Sequence, residues 1–203
     1  MLNKQTVQIW NFPNAGYITD TVPQDIFEAI KKETDVVYEN FATADPFNKT
    51  LVGHIDKEFD LMKPDLVRHV EPYLQELTKA YQEVFRYPQL RSQLVSFWVN
   101  YQEKYEFNPI HDHEAHLSFV IWVKIPFDRT EEAKVFNKSN EKPVNGQFHF
   151  VYTDVFGRTN TFTPREEEGM IAIFDSRIQH MVYPFFTSDE YRVSVAGNLM
   201  FTR

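Results

Sequence analysis

The sequence predicts an α+β protein with a mainly β core, in which helices precede a series of short strands. Two observations carry this. Apolar positions in the first ninety residues recur at helical spacing, whereas after Pro88 they fall in short runs rich in β-branched and aromatic residues. The composition agrees: 42% hydrophobic residues, with 19 Phe and 10 Tyr among 203, is too apolar for a disordered chain and suits a sheet-rich interior. A chain of this length is expected to form one core, so 1–203 reads as a single domain, mostly helical over 1–90 and strand-rich over 91–203.

Taken in order, Thr21-Val22-Pro23-Gln24 has capping-box spacing with Pro23 in the first turn, and Ile26, Ala29 and Ile30 extend a short amphipathic helix to about Thr34. From Pro64 to Tyr87, Leu66, Val70, Leu74, Leu77 and Tyr81 recur every three or four residues, giving the longest helical signal. Pro72 lies inside it and removes a backbone donor, which predicts a kink or two abutting helices. Strands are expected over 94–101, 117–123, 147–152, 170–174 and 191–196. Between them, 127–146 reads as a polar loop over the surface or over a site, Gly157 as a hairpin turn between Val155 and Thr161, and Glu166 to Gly169 as a further turn. Many short strands late in a chain suggest a sandwich or a barrel.

A formal net charge of -8 opposes binding to phosphate backbones or anionic lipid, so neither nucleic acid nor membrane is an expected partner. The absence of cysteine excludes disulfides, thiolate metal sites, iron–sulfur clusters and a Cys nucleophile. Any metal must be held by nitrogen and oxygen. Residues 1–8 contain no apolar run of signal-peptide length and no 18-residue apolar stretch occurs, so the expected location is the cytoplasm, where the sequons at Asn48 and Asn137 carry little meaning.

Three of seven histidines crowd into His111-Asp112-His113-Glu114-Ala115-His116. In an extended segment His111 and His113 share a face while Asp112 points the other way, so two imidazoles converge. His180, at the edge of a late strand, is the natural third ligand for a divalent metal. The plain alternative is a solvated polar turn. His113 to His116 is one residue short of the helical His-Glu-x-x-His zinc motif, which is rejected. His54 and His69 read as surface or satisfied core histidines, and His149 faces either the interior or solvent. Twelve residues after His180, Arg192 and Ser194 share a strand face. An inward Arg needs an anion: a bidentate ligand carboxylate, or one of the chain's own acids in an internal salt bridge.

His-x-His, a distal His, and Arg-x-Ser a dozen residues later, all on short strands behind a helical half, resemble the iron(II)/2-oxoglutarate-dependent oxygenases, in particular a branch found in marine bacteria and cyanophages. The marks are Trp98-Val99-Asn100, Asn108 to His113, Leu117-Ser118, Gly169 to Ser176, His180 to Pro184 and Arg192 to Asn198, with Leu51 to Phe59 similar to an N-terminal element of that branch. The resemblance covers about half the chain. It implies a double-stranded β-helix, or jelly-roll, with N-terminal helices packed on one sheet and Fe(II) at one mouth. His111 matches the first iron histidine, His180 the distal one, and Arg192 with Ser194 the clamp on the far carboxylate of 2-oxoglutarate. One departure stands out: the superfamily generally has His-x-Asp or His-x-Glu, and His113 occupies the carboxylate position. Either 2-oxoglutarate compensates the charge or another acid does; Asp112 and Glu114 are nearby, though strand alternation disfavours both. His113-Glu114-Ala115 also aligns with His-x-Ala or His-x-Gly sites that lack the carboxylate. The ligand set carried forward is His111, His113 and His180, which are also the catalytic residues.

The implied activity decarboxylates 2-oxoglutarate oxidatively to succinate and CO2 with O2, while hydroxylating a protein side chain or small molecule. Asn100 or Asn108 could hydrogen-bond the metal-proximal carboxylate, with ordinary turn support the better reading of Asn108. Trp98, Tyr101 and Trp122 are expected to fill the core. Substrate choice is expected in the N-terminal helices and the 127–146 loop, and a homodimer fits by analogy, in the cytoplasm of a bacterium or phage-infected host. Two other classes stay open: a cupin-like three-His metal hydrolase or isomerase, and a non-enzymatic phage jelly-roll binding protein.

Overall fold

The computed structural model describes residues 16–47, 51–135, 143–154 and 156–202. Residues 1–8, Val155 and the sequons at Asn48 and Asn137 lie outside them.

The chain begins with strand β1 (Tyr17–Thr21), helix α1 (Gln24–Glu39), strand β2 (Lys57–Asp60) and helix α2 (Pro64–Val84). Strands β3 (Arg91–Gln102), β4 (Asn108–His111) and β5 (Leu117–Lys124) precede a single helical turn, α3 (Arg129–Glu132). Five strands close the fold: β6 (Phe148–Thr153), β7 (Thr159–Phe162), β8 (Met170–Asp175), β9 (Gln179–Val182) and β10 (Arg192–Thr202). They form two antiparallel sheets, ordered β1-β8-β5-β10-β3-β2 and β4-β9-β6-β7, the jelly-roll arrangement that was expected.

Alternation along the strands of the larger sheet divides its side chains between two layers. Phe97, Val99, Tyr101, Phe119, Ile121, Ile173 and Val195 point outward and pack with Ile26, Ile30, Val70, Leu74 and Tyr81 of the two long helices. Val120, Trp122, Ala172 and Phe174 point inward and meet Phe148 and Phe150 of the smaller sheet. Each large apolar side chain so buried contributes about 1.5–3 kcal/mol relative to exposure. The inner layer is apolar at one end and polar at the other, where Trp98, Asn100, Arg192 and Ser194 stand.

Several expectations are corrected. The capping box does not form: Thr21 ends β1, and Pro23 takes the N-cap position with extended backbone (φ -51°, ψ 140°) and no side-chain cap. Helix α1 continues to Glu39 because buried Thr34 and Val37 add another turn to its core-facing stripe. Pro72 neither breaks nor divides α2, which is continuous. The ring lies on the exposed side, while Leu66, Val70, Leu74, Leu77 and Tyr81 hold the opposite face in the core. α2 ends at Val84 rather than near Tyr87, with Arg86 in the left-handed region (φ 57°). Among the described residues, β1 and β2 were not expected as strands and join the edges of the larger sheet. The 127–146 segment begins with α3, capped by the Asp128 carboxylate, rather than as bare loop. The hairpin at Gly157 does form, in the left-handed conformation (φ 76°), between β6 and β7.

Candidate metal centre

His111 ends β4 and lies directly opposite His180 of β9 in the antiparallel register. His113 follows two residues later, and its backbone N–H donates to the Ser176 carbonyl at 2.9 Å, fixing the segment beyond the strand. The three rings converge, with centroids 4.2 Å apart for His111 and His180, 5.1 Å for His113 and His180 and 5.2 Å for His111 and His113. One ligand atom from each lies within 4.8 Å of the others.

Backbone carbonyls set the tautomers. His111 Nδ1 lies 2.7 Å from the Pro109 oxygen and His180 Nδ1 lies 3.0 Å from the Ile178 oxygen. A carbonyl only accepts, so both Nδ1 atoms carry the proton and both Nε2 lone pairs are left free for a ligand bond. Burial, and the neighbouring imidazoles, push His180 well below its ordinary value and His113 down to about 4; burial also lowers His111. Neutral imidazole is the form that binds metal. The donor set therefore fits a divalent ion such as Fe(II). Asp112 and Glu114 are exposed and stand apart, so among the described residues no carboxylate joins the three histidines.

The same cavity is walled by Asn100, Arg192 and Ser194. Arg192 is buried and pairs with Glu166, Nη2 to carboxylate at 2.7 Å, while Nη1 donates to the Gly146 carbonyl at 3.1 Å. Burial lowers the guanidinium below its usual range, and the Glu166 charge works against that. The internal salt bridge considered from sequence is thus present. Asn100 accepts from the Trp98 indole at 3.1 Å and donates to Ser194 Oγ at 3.3 Å, leaving the hydroxyl proton of Ser194 free to serve another acceptor.

His69 is exposed, 3.5 Å from Asp25, and His54 packs on Phe107. His116 accepts from the Phe201 N–H and stacks on that ring. His149 is buried but lies on the opposite face of β6 from Phe148 and Phe150, bonded to Gln147. Asn108 borders the cavity, and its carboxamide oxygen is buried there without a partner. Tyr101, Trp122 and Trp98 are buried as expected, and Trp98 also lines the cavity, with its indole edge-on to His113 at 5.8 Å. Sequence reasoning missed Glu58 and Glu166. The first sits in a four-residue strand too short and charged to show a period, and the second sits in a run of three glutamates where nothing distinguishes it.

Residues 96–198, just over half of the chain, match the family described as "Putative 2OG-Fe(II) oxygenase". The chain belongs to this family. It is a 2-oxoglutarate-dependent oxygenase, and Fe(II), 2-oxoglutarate and O2 are the cofactor and cosubstrates of its class. The oxygenase also shares its fold with solved structures. A prolyl-4-hydroxylase from Pseudomonas putida superposes with a TM-score of 0.57 at 14% identity, covering 93% of each chain. A prolyl hydroxylase from Trichoplax adhaerens, in complex with a hypoxia inducible factor peptide fragment, gives 0.59 at 9% identity, covering 93% of this oxygenase and 83% of that chain. EctD from S. alaskensis, with 2-oxoglutarate and 5-hydroxyectoine, gives 0.60 at 14% identity over 92% and 72%. No curated protein matches the oxygenase. Among the described residues no helix is long and apolar enough to cross a membrane.

Proposed function

We propose that His111, His113 and His180 hold the Fe(II) of this oxygenase, that Arg192 and Ser194 receive the far carboxylate of 2-oxoglutarate, and that a small molecule or a protein side chain is hydroxylated beside them. The observation that carries this reading is the convergence of three neutral imidazoles on a cavity whose opposite wall holds a buried guanidinium. Bound iron supplies the redox chemistry that couples decarboxylation of 2-oxoglutarate to oxidation of a C–H bond.

The chain's own residues position and shield. Two of the five N–H donors of Arg192 are engaged by Glu166 and Gly146, and the others are available to a carboxylate. Asn100 holds Ser194 Oγ as an acceptor, which directs its proton toward the same carboxylate. Glu166 faces two guanidiniums, Arg192 at 2.7 Å and Arg129 at 3.4 Å, so one acid is set against two cations and the clamp offers charge as well as hydrogen-bond geometry to an anion. Trp98, Val120, Phe148 and Phe174 border the remaining space and limit water there. The prolyl hydroxylases and EctD named above support both substrate kinds.

The test combines metal content, succinate formation from 2-oxoglutarate without a prime substrate, and the visible charge-transfer band that appears when 2-oxoglutarate joins Fe(II)-loaded protein under anaerobic conditions. Wild type should show all three, His180→Ala should lose metal and band, and Arg192→Ala should keep metal but need far more 2-oxoglutarate. Bound zinc with no response to 2-oxoglutarate would overturn the reading in favour of a three-His hydrolase.

A further inference from the structure

The cavity wall that carries Arg192, across from the histidines, also carries a carboxylate with no assigned task. Glu58 lies in β2 opposite Asn100 of β3, so its side chain enters the inner layer while its neighbour Phe59 packs outward with the helices. Only 4% of Glu58 is exposed, yet among the described residues its carboxylate has neither a hydrogen bond nor an ion pair. A largely desolvated carboxylate with no protein partner is costly; neither oxygen of Glu58 is sealed off, so both the cost and the open valences face the cavity, where a ligand would meet them. Burial, with the like charge of Glu106 added to it, pushes the Glu58 carboxyl up to about 7. The cation on the same wall, Arg192, is already paired with Glu166. Glu58 also stands outside the group of three histidines, so it does not replace the missing iron carboxylate.

A second acceptor borders the same space. The Asn108 carboxamide oxygen is buried without a donor, and Gly53 (φ 152°) brings its backbone so close that a Cβ there would meet that oxygen at 1.9 Å. Leu51, Val52 and Ile55 add apolar surface. The cavity is thus bordered by the acceptor oxygens of Glu58 and Asn108, by apolar flanks, and by the donors of Arg192 and Ser194.

We infer that Glu58 is the specificity residue for the prime substrate, and that it recognises a cationic nitrogen, an alkylammonium or guanidinium group, on the molecule to be hydroxylated. This rests on the oxygenase reading above and gives its substrate class. A protonated nitrogen supplies the donors and the charge that Glu58 lacks, while Arg192 and Ser194 remain for the acidic cosubstrate, so the two ligands sort by charge within one cavity. A free amine or basic amino acid and a Lys or Arg side chain of a peptide share this chemistry.

The test is calorimetric binding to the protein alone and to the anaerobic Fe(II) and 2-oxoglutarate complex. The probes are free lysine, arginine and agmatine, a short lysyl peptide, and neutral counterparts such as citrulline and an acetyl-lysyl peptide. Cationic probes should bind tenfold to about a hundredfold more tightly than their neutral counterparts. Glu58→Gln should reduce the preference to within about twofold, and Glu58→Asp should retain part of it. The relative affinities of free and peptide forms tell the two sources apart. Equal binding of cationic and neutral probes by wild type would overturn the inference without needing any variant to fold, as would a preference that survives in Glu58→Gln. Loss of the 2-oxoglutarate band with the cation preference intact would instead count against the cosubstrate site alone.

Discussion

His111 and His180 face each other across the β4–β9 pair, each with Nδ1 tied to a backbone carbonyl two residues earlier and Nε2 directed into the shared space. Their orientation is therefore set by the strands and does not depend on a bound ion. His180→Ala should lower metal affinity by more than about a hundredfold while leaving the fold intact, as read by equilibrium dialysis and circular dichroism. In His113→Asp, a carboxylate would lower the net charge of a divalent site by one unit, so iron should remain bound and its affinity should rise. Loss of iron from that variant would show that His113 is needed as an imidazole.

Removing the Glu166 charge leaves the buried Arg192 guanidinium without its acid. Glu166→Gln should destabilise the ligand-free protein by about 3–5 kcal/mol, seen in denaturant unfolding. If 2-oxoglutarate supplies an anion to Arg192, its addition should raise the melting temperature of Glu166→Gln by more than that of wild type. Equal shifts would place the cosubstrate away from Arg192.

Glu58 makes stability depend on pH in the reverse of the usual carboxylate sense. Its carboxyl is raised from 4.5 to about 7 by burial and by Glu106, so across that interval the folded protein keeps a proton that the unfolded chain releases. The stability associated with that proton is fully present below about 4.5 and is lost as pH rises through about 7. Without ligand, Glu58→Gln should accordingly exceed wild type by a few kcal/mol at pH 8 and match it near pH 4.5. Chemical denaturation at the two pH values measures the difference.

Pro72 interrupts the hydrogen-bond ladder of α2 on its exposed side. Pro72→Ala restores a donor and removes the ring's clash, and should stabilise the protein by about 1–3 kcal/mol with no change in metal binding. Thermal unfolding checks it.

The sequence made the inner layer legible wherever alternation is long. Five strands of six to twelve residues were visible because their apolar runs exceed local noise, and His111, His113 and His180 were visible because imidazoles at that spacing are rare. The edge strands β1, β2, β4 and β7, and the short internal strand β9, have only four or five residues and take their shape from partners distant in sequence, which local pattern does not record. The two carboxylates escaped for the same reason. Glu166 matters because Arg192 is 26 positions later, and Glu58 because β2 pairs with β3. Pro72 misled because intrinsic propensity was outweighed by a well-packed helical face.

Strand β10 is hydrogen-bonded on both flanks, to β3 and to β5, with Val193 and Val195 turned to the helices and Arg192, Ser194 and Ala196 turned to the cavity. A single-residue insertion or deletion within its first half would exchange these two sets, sending a guanidinium into the hydrocarbon-like layer and valines into the cavity. Length variation among descendants of this chain should therefore be purged from 192–196 and collect instead in the exposed turn around Gly157, where an added Cβ meets nothing within 4 Å.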